Sequence, residues 1–228
     1  MSLPSLSRAQ AREVDRLAAE RFAVPVGWLM EAAGWQVARH CRERAYVVCG
    51  RGNNGGDGLA AARHLHRWGR LAGIACTDPD GLAGPAAEQA MALRALGVEI
   101  DREPRPRDAR AVVDALLGTG LSRPAEGRMA EWIAAVNAAG RRVVAVDVPS
   151  GLDADTGAAP GACVRAHVTV TFGLPKPGLL AGDGPAHAGE VWVADIGVPF
   201  EAYAAIGVQV PPGLFAAHDL IRLPAARV

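Results

Sequence analysis

Short runs of Val, Ala, Ile and Leu recur along this chain, each closing on a polar turn and most followed by a segment of helix length. AYVVCG (45–50) leads into RGNNGGDG and the helical LAAARHLHRWG. LAGIACT (71–77) leads into the helical GPAAEQAMALRALG (84–97) and a short VEI. ARAVVDALLG (109–118) precedes AEGRMAEWIAAVNAAG (125–140), and RRVVAVDVPSG (141–151) is a strand closed by a turn. HVTVTFG (167–173) and GEVWVADIGVP (189–199) continue the pattern as strands. A strand apolar at every position is buried on both faces, and strands alternating with helices achieve that as a mainly parallel sheet between helical layers. The expected fold class is therefore α/β, a three-layer α/β/α sandwich. Two helices precede it: residues 7–22, with Ser7 as N-cap and Val14, Leu17, Ala18 and Phe22 on one face, and residues 27–44. Residues 1–210 contain no linker and form one expected domain. Residues 211–228, opening on Pro211 and Pro212, read as a C-terminal tail or connector.

Composition narrows the function classes. Half of the 228 residues are hydrophobic, enough for a sizeable core, and 24 basic residues balance 24 acidic ones. That balance argues against a nucleic-acid or anionic-membrane binder. No apolar run approaches the roughly 20 residues that span a bilayer, and the N-terminus has no hydrophobic signal core. Cys41, Cys49, Cys76 and Cys163 lie far apart with no CxxC. Reduced, buried thiols in a cytoplasmic protein are expected.

Residues with chemical potential gather where strands end, and right-handed crossovers bring those ends to one edge of a parallel sheet. In the first turn, Gly50 to Gly55 matches GxGxxG between a strand and a helix, an arrangement suited to phosphate. The turn continues to Asp57, which either caps the helix or meets the ligand. The second turn, Gly118-Thr119-Gly120-Leu121-Ser122-Arg123-Pro124, is either a second anion anchor, with Arg123 as its charge, or a helix-entry turn. Asp114, inside the preceding apolar strand, needs a partner or a cation. The third turn starts at Asp147, a carboxylate at a strand tip where desolvation would raise its pKa and suit it to proton transfer; the alternative is an Asx or ST turn. Asn54, Asp114 and Ser150 share a hard oxygen, and with one carboxylate among them a weakly charged hard cation suits them best. The six histidines are scattered, and no nucleophile-elbow GxSxG is present. Trp28 and Trp35, seven apart on the second helix, are core or interface anchors, and a dimer face is one use for them.

In order and spacing, VVCGRGNNGGDGLAAARHL, DALLGTGLSRP, VVAVDVPSGLDADTG, TVTFGLPKPGLL and VADIGVP resemble the NAD(P)H-hydrate epimerase family, over about residues 8–200. The resemblance implies a Rossmann-like fold, a homodimer, and interconversion of the R and S epimers of NADHX and NADPHX. These are nicotinamide cofactors hydrated at ring carbon C6. The product would pass to an ADP- or ATP-dependent NAD(P)H-hydrate dehydratase. Carried over by motif, Asn53, Asn54, Gly55, Gly56, Asp57, the residues from Gly118 to Pro124 and Asp147 contact the hydrate. Asn54, Asp114 and Ser150 hold one potassium ion per subunit. Asp147 is the expected catalytic acid. Lys176, the single lysine, lies in the FGLPKPG motif and either reaches the site or serves the strand end. Ala32 departs from the polar residue relatives often carry there. The chain ends at IRLPAARV, close to where two-domain relatives continue.

Two rival classes remain at the level of sequence. One is an NAD(P)-dependent oxidoreductase, resting on GxGxxG and the Asp78/Asp80 pair about 20 residues on. The other is a non-catalytic nucleotide-binding module on the same scaffold.

Overall fold

The computed structural model describes residues 3–106, 108–121 and 123–224. Two helices, α1 (Arg8–Glu20) and α2 (Val26–His40), precede β1 (Ala45–Cys49), α3 (Asn53–Arg67), β2 (Leu71–Cys76), α4 (Gly84–Ala95), β3 (Ala111–Ala115), α5 (Gly127–Ala138) and β4 (Arg142–Val146). Then come β5 (Val168–Phe172), a 3₁₀ turn at Pro177–Leu179, α6 (Gly184–Ala188), β6 (Glu190–Ala194), α7 (Phe200–Ala205) and β7 (Leu220–Arg222). The strands form one sheet in the order β2-β1-β3-β4-β5-β6-β7. All pairs are parallel except β6–β7.

The expected three layers are present, and period-two alternation sorts the side chains between them. Ala45, Val47 and Cys49 of β1 face the layer of α2, α3 and α4, packing with Val37, Leu59, Leu65 and Leu93. Tyr46 and Val48 face the other way, onto Trp132, Ile133 and Val136 of α5. α1 packs beyond the sheet in a separate cluster, with Val14 and Ala18 against Leu29, Leu174 and Tyr203. Among the described residues no helix is long and apolar enough to cross a membrane.

Two expectations change. VEI makes no strand; the residue after it, Asp101, makes a single bridge in which Cys76 N–H donates to the Asp101 carbonyl and Asp101 N–H to that of Ile74, both at 2.9 Å. The segment Gly52–Gly58 is not a loop, because α3 begins at Asn53 and takes the glycines into its first two turns. Intrinsic propensity disfavours glycine there, but the packing requires it. A Cβ on Gly55 would drive into the Gly50 carbonyl, one on Gly56 into Met30, and one on Gly58 into Ala115 and Cys49. The glycines let α3 descend onto β1 and β3. In the segment 211–228, Leu220–Arg222 adds β7 antiparallel to the sheet edge, and residues 225–228 lie outside the described ones.

Candidate active site

The carboxyl ends of β1 to β5 open on a cavity of about 570 Å³. Its floor is built by residues that follow strands: Gly50–Asn54 after β1, Leu116–Gly120 after β3, Asp147 after β4, and Phe172 and Lys176 at and beyond the end of β5. α1 closes one side with Arg12 and Asp15, and Tyr203 of α7 adds to the wall. The first turn of α3 leaves N–H groups without a helical partner, and no side chain caps it. The open helix terminus and the Arg12 and Arg51 guanidinium groups make this part of the cavity suited to an anion.

Asp147 is held more tightly than a turn residue needs to be. Its φ is +63°, a left-handed conformation that costs a non-glycine residue on the order of 1 kcal/mol. Its backbone N–H donates to the Val170 carbonyl at 2.8 Å. Its Oδ1 accepts from Lys176 Nζ at 2.6 Å, the Thr171 hydroxyl at 3.1 Å and the Phe172 N–H at 3.4 Å. Lys176 is 3% exposed and also reaches the Phe172 carbonyl at 3.1 Å and Thr171 Oγ1 at 3.2 Å. The single lysine therefore reaches the site and gives Asp147 a charged partner. Sequence reasoning gave Asp147 desolvation alone.

Two further carboxyls share the cavity. Burial pushes Asp57 well above the ordinary carboxylate range; the charges of Asp147 and Asp15 add to the rise, and Lys176 opposes it. Asp57 sits in the second turn of α3, past the N-cap Gly52, so it does not cap the helix. Asp15 keeps solvent access through the cavity. The surrounding wall still removes enough bulk water to raise its carboxyl to about 6, with Lys176 lowering it and Asp147 raising it. Sequence reasoning missed Asp15. Its signal is positional: Ala11, Asp15, Ala18 and Phe22 follow a 4-3-4 spacing, so a carboxylate borders the apolar stripe of α1.

The other expected residues divide into three groups. Asn53, Asn54, Asp57, Gly118, Thr119, Gly120 and Asp147 line the cavity together. Gly55 and Gly56 are buried behind it as packing positions. Leu121, Arg123 and Pro124 line a smaller recess of about 180 Å³ with Arg8 and Asp153. Ser122 lies outside the described residues.

Asp114 and Ser150 are fully buried beside the cavity floor. Asp114 Oδ1 accepts from the Ser150 hydroxyl at 2.6 Å and Oδ2 from the Ser150 N–H at 2.8 Å. Ser150 Oγ lies 2.8 Å from the Leu117 N–H and 3.1 Å from the Leu117 carbonyl. Asn54 packs its side-chain oxygen against Gly118, where a Cβ would sit 2.8 Å from it, and its amide nitrogen is buried without a partner. Among the described residues no cation pairs with Asp114, and burial raises its carboxyl to about 6. The Asp114 carboxylate, the Ser150 hydroxyl and the Leu117 carbonyl thus gather hard oxygens without a protein cation, a set whose chemistry fits a hard monovalent cation.

The rival dinucleotide fingerprint lacks its ribose-binding acid. Asp78 Oδ1 accepts from the Gly81 N–H at 3.0 Å in a local turn, and Asp80 pairs with Arg102 on the surface. Neither aspartate lines the cavity.

A family model described as YjeF-related protein N-terminus matches residues 26–178. The chain is 38% identical over 226 residues to an NAD(P)H-hydrate epimerase of Dehalogenimonas lykanthroporepellens, covering 94% of this chain and 91% of that one. It is 40% identical to an NAD(P)H-hydrate epimerase of Rhodopirellula baltica, over 88% and 87% of the two chains. A bifunctional NAD(P)H-hydrate repair enzyme of Thermofilum pendens is 43% identical over 84% of this chain, which spans 40% of that protein's length. The crystal structure of yeast ynu0 superposes with a TM-score of 0.78 over 97% of this chain and all of that one, at 24% identity, a likeness of fold alone.

Proposed function

The chain belongs to the YjeF-related N-terminal family, and from that membership and the cavity's geometry we propose that it is an NAD(P)H-hydrate epimerase, an isomerase interconverting the R and S epimers of NADHX and NADPHX. One observation carries this: at the carboxyl edge of the sheet a single cavity is lined by the uncapped N-terminus of α3, by two arginines and by a buried Asp147–Lys176 pair. The substrate presents the same two features, a diphosphate and a ring carbon bearing a hydroxyl next to nitrogen. Relatives similar along nearly their whole length carry the name of that activity.

C6 of the hydrate is a hemiaminal carbon. The ring nitrogen's lone pair expels the hydroxyl once a proton reaches its oxygen, and water returns to either face. The protein has to hold the ring beside a proton-transfer group and shield it from competing chemistry. Asp147 is that group. Its left-handed backbone and the three contacts on Oδ1 fix the carboxyl at the strand tip. Asn53, Asn54, Arg51 and the turn Gly118–Gly120 hold the diphosphate and ribose.

Asn54, Asp114, Ser150 and the Leu117 carbonyl would hold one potassium ion, which would supply a fixed positive charge beneath the turn that receives the substrate. The exposed Trp28, at 68%, and Trp35 beside it on α2 support a homodimer through that helix. The four cysteines are free and buried, in keeping with a cytoplasmic setting. Bifunctional repair enzymes among the relatives support passage of the product to an ADP- or ATP-dependent NAD(P)H-hydrate dehydratase.

The test is a chiral chromatographic assay of (R)-NADPHX with purified protein in potassium buffer, corrected for spontaneous epimerisation. Acceleration is expected, together with its loss in Asp147→Asn while ligand binding persists. No acceleration by the wild type overturns the assignment.

A further inference from the structure

Epimerisation through loss and return of water needs two proton-transfer groups at once, a donor for the departing oxygen and an acceptor for the incoming one. Asp147, in contact with the Lys176 ammonium, is placed as the acceptor. The donor must be a carboxyl that holds a proton above the ordinary carboxylate range, opens onto the cavity and has no structural duty. Burial also holds the Asp57 carboxyl well above the usual carboxylate range, but Asp57 is half-buried in the second turn of α3 and opens less onto the cavity.

Asp15 meets all three conditions. It lines the cavity and is accessible through it. It has no hydrogen-bond or ion-pair partner among the described residues, whereas Glu13 and Glu20 on the same helix both pair with Arg16. It borders the apolar stripe of Val14 and Ala18 without being packed into it. Its carboxyl, raised to about 6, can release and recover a proton near neutral pH. The charged and titratable groups facing the same space are Arg12 on its own helix, Arg51 and Asp57 from α3 and the turn before it, Asp147 and Lys176 from the sheet edge, and Tyr203 from α7.

α1 is fixed relative to the sheet edge. Ser7 and Gln10 form a reciprocal capping box at 3.0 and 3.3 Å. Leu6 N–H donates to the Pro175 carbonyl at 2.9 Å, one residue from Lys176. Arg8 pairs with Asp153 at 3.7 Å and Asp155 at 3.6 Å. This helix precedes the stretch matched by the family model.

We propose that Asp15 is a second catalytic residue of the cavity, the acid that protonates the C6 hydroxyl while Asp147 accepts the proton of the returning water. The inference rests on the epimerase assignment. Asp15 gives its proton to the C6 oxygen, the C–O bond breaks with its electron pair leaving on water, and the ring nitrogen's lone pair closes the N1=C6 bond. A water molecule adds to the other face of C6 and gives a proton to Asp147. Transfer of that proton back to Asp15 restores the starting state, and in the reverse direction the two carboxyls exchange roles.

The test compares wild type, Asp15→Asn and Asp15→Glu, each as the full chain, in the (R)-NADPHX assay from pH 5.5 to 9. Wild-type kcat should fall as pH rises through ionisation of the acid. Asp15→Asn should lose kcat by about 10²-fold or more with little change in KM, and lose that pH dependence. Asp15→Glu should recover activity to within about tenfold of wild type and keep the pH dependence. An asparagine variant with wild-type kcat and pH profile overturns the proposal and leaves the epimerase assignment standing. So do asparagine and glutamate variants impaired alike, which marks Asp15 as a packing position. A wild type without activity removes both.

Discussion

Replacing Lys176 by Met tests how the reactive carboxyl is held. The lysine has three N–H groups and three partners: Asp147 Oδ1 at 2.6 Å, the Phe172 carbonyl at 3.1 Å and Thr171 Oγ1 at 3.2 Å. Met fills much of the same volume but removes all three bonds. Asp147, 9% exposed, keeps only the Thr171 hydroxyl and a long contact from the Phe172 N–H. Removing one member of a buried pair costs about 3–5 kcal/mol because the survivor is left uncompensated. Cavity water reaches Asp147 on one side, which favours the lower end, about 3 kcal/mol. For a chain of this size that is a fall of about 6–12 °C in Tm. Adding Asp147→Asn to Lys176→Met removes the orphaned charge and should restore most of the loss, although neither change alone preserves activity. Calorimetric melts and urea titrations of the four proteins at pH 7.5 supply the cycle. If Lys176→Met melts within about 2 °C of wild type, or the double variant is no more stable than Lys176→Met, the pair is not what holds Asp147.

Gly55→Ala should destabilise the fold by more than about 2 kcal/mol in urea titrations, because the new methyl meets the Gly50 carbonyl; a stable variant that merely binds ligand poorly would return Gly55 to the role of phosphate loop. Asp57→Asn should melt higher than wild type at pH 8. The folded-state carboxyl of Asp57 ionises at higher pH than the unfolded one, so the wild type loses stability as pH rises above the ordinary carboxylate range. The advantage should therefore vanish as pH falls toward about 4, and a gain independent of pH in paired melts would refute that origin. Exchanging potassium for choline chloride should lower the wild-type Tm and leave Ser150→Ala unmoved, since the Ser150 hydroxyl bridges Asp114 and Leu117. Equal shifts in both proteins would place any potassium effect elsewhere.

The layers of the fold were legible because burial on both faces leaves a local trace. AYVVC and VVAV are apolar runs too long for surface turns and too short for helices, and the structure makes both strands, the second opening on the exposed Arg142. β7 left no such trace. LIR pairs with β6 at an exposed edge, where partial burial demands no periodicity. The helical state of NNGGDG was hidden by glycine itself. A rule that counts propensity sees a loop, whereas the close approach of α3 to β1 and β3 is a tertiary demand that appears only once those strands are in place.

The candidate site shows the same division between local and convergent information. Asp114 and Asp147 stand out within their strands because a carboxylate in an apolar run needs a reason, and the structure gives each one: Ser150 for Asp114, Lys176 for Asp147. Lys176 lies 29 residues from its partner, and no spacing rule joins two groups that meet only because β4 and β5 are neighbours. Arginine shows the cost of reading charge from a motif. Arg123 sits in the turn that resembles an anion anchor yet faces a recess with Arg8 and Asp153, while Arg51, inside the GxGxxG stretch, and Arg12, in no such pattern, line the main cavity. Asp15 extends the argument to the helix that precedes the sheet. A carboxylate beside an apolar helical stripe poses the same question as one inside an apolar strand, and it has to be asked with period 3.6 in place of period 2. Applied that way to α1, the rule that exposed Asp114 and Asp147 selects Asp15, which lines the cavity, over Glu13 and Glu20, which pair with Arg16.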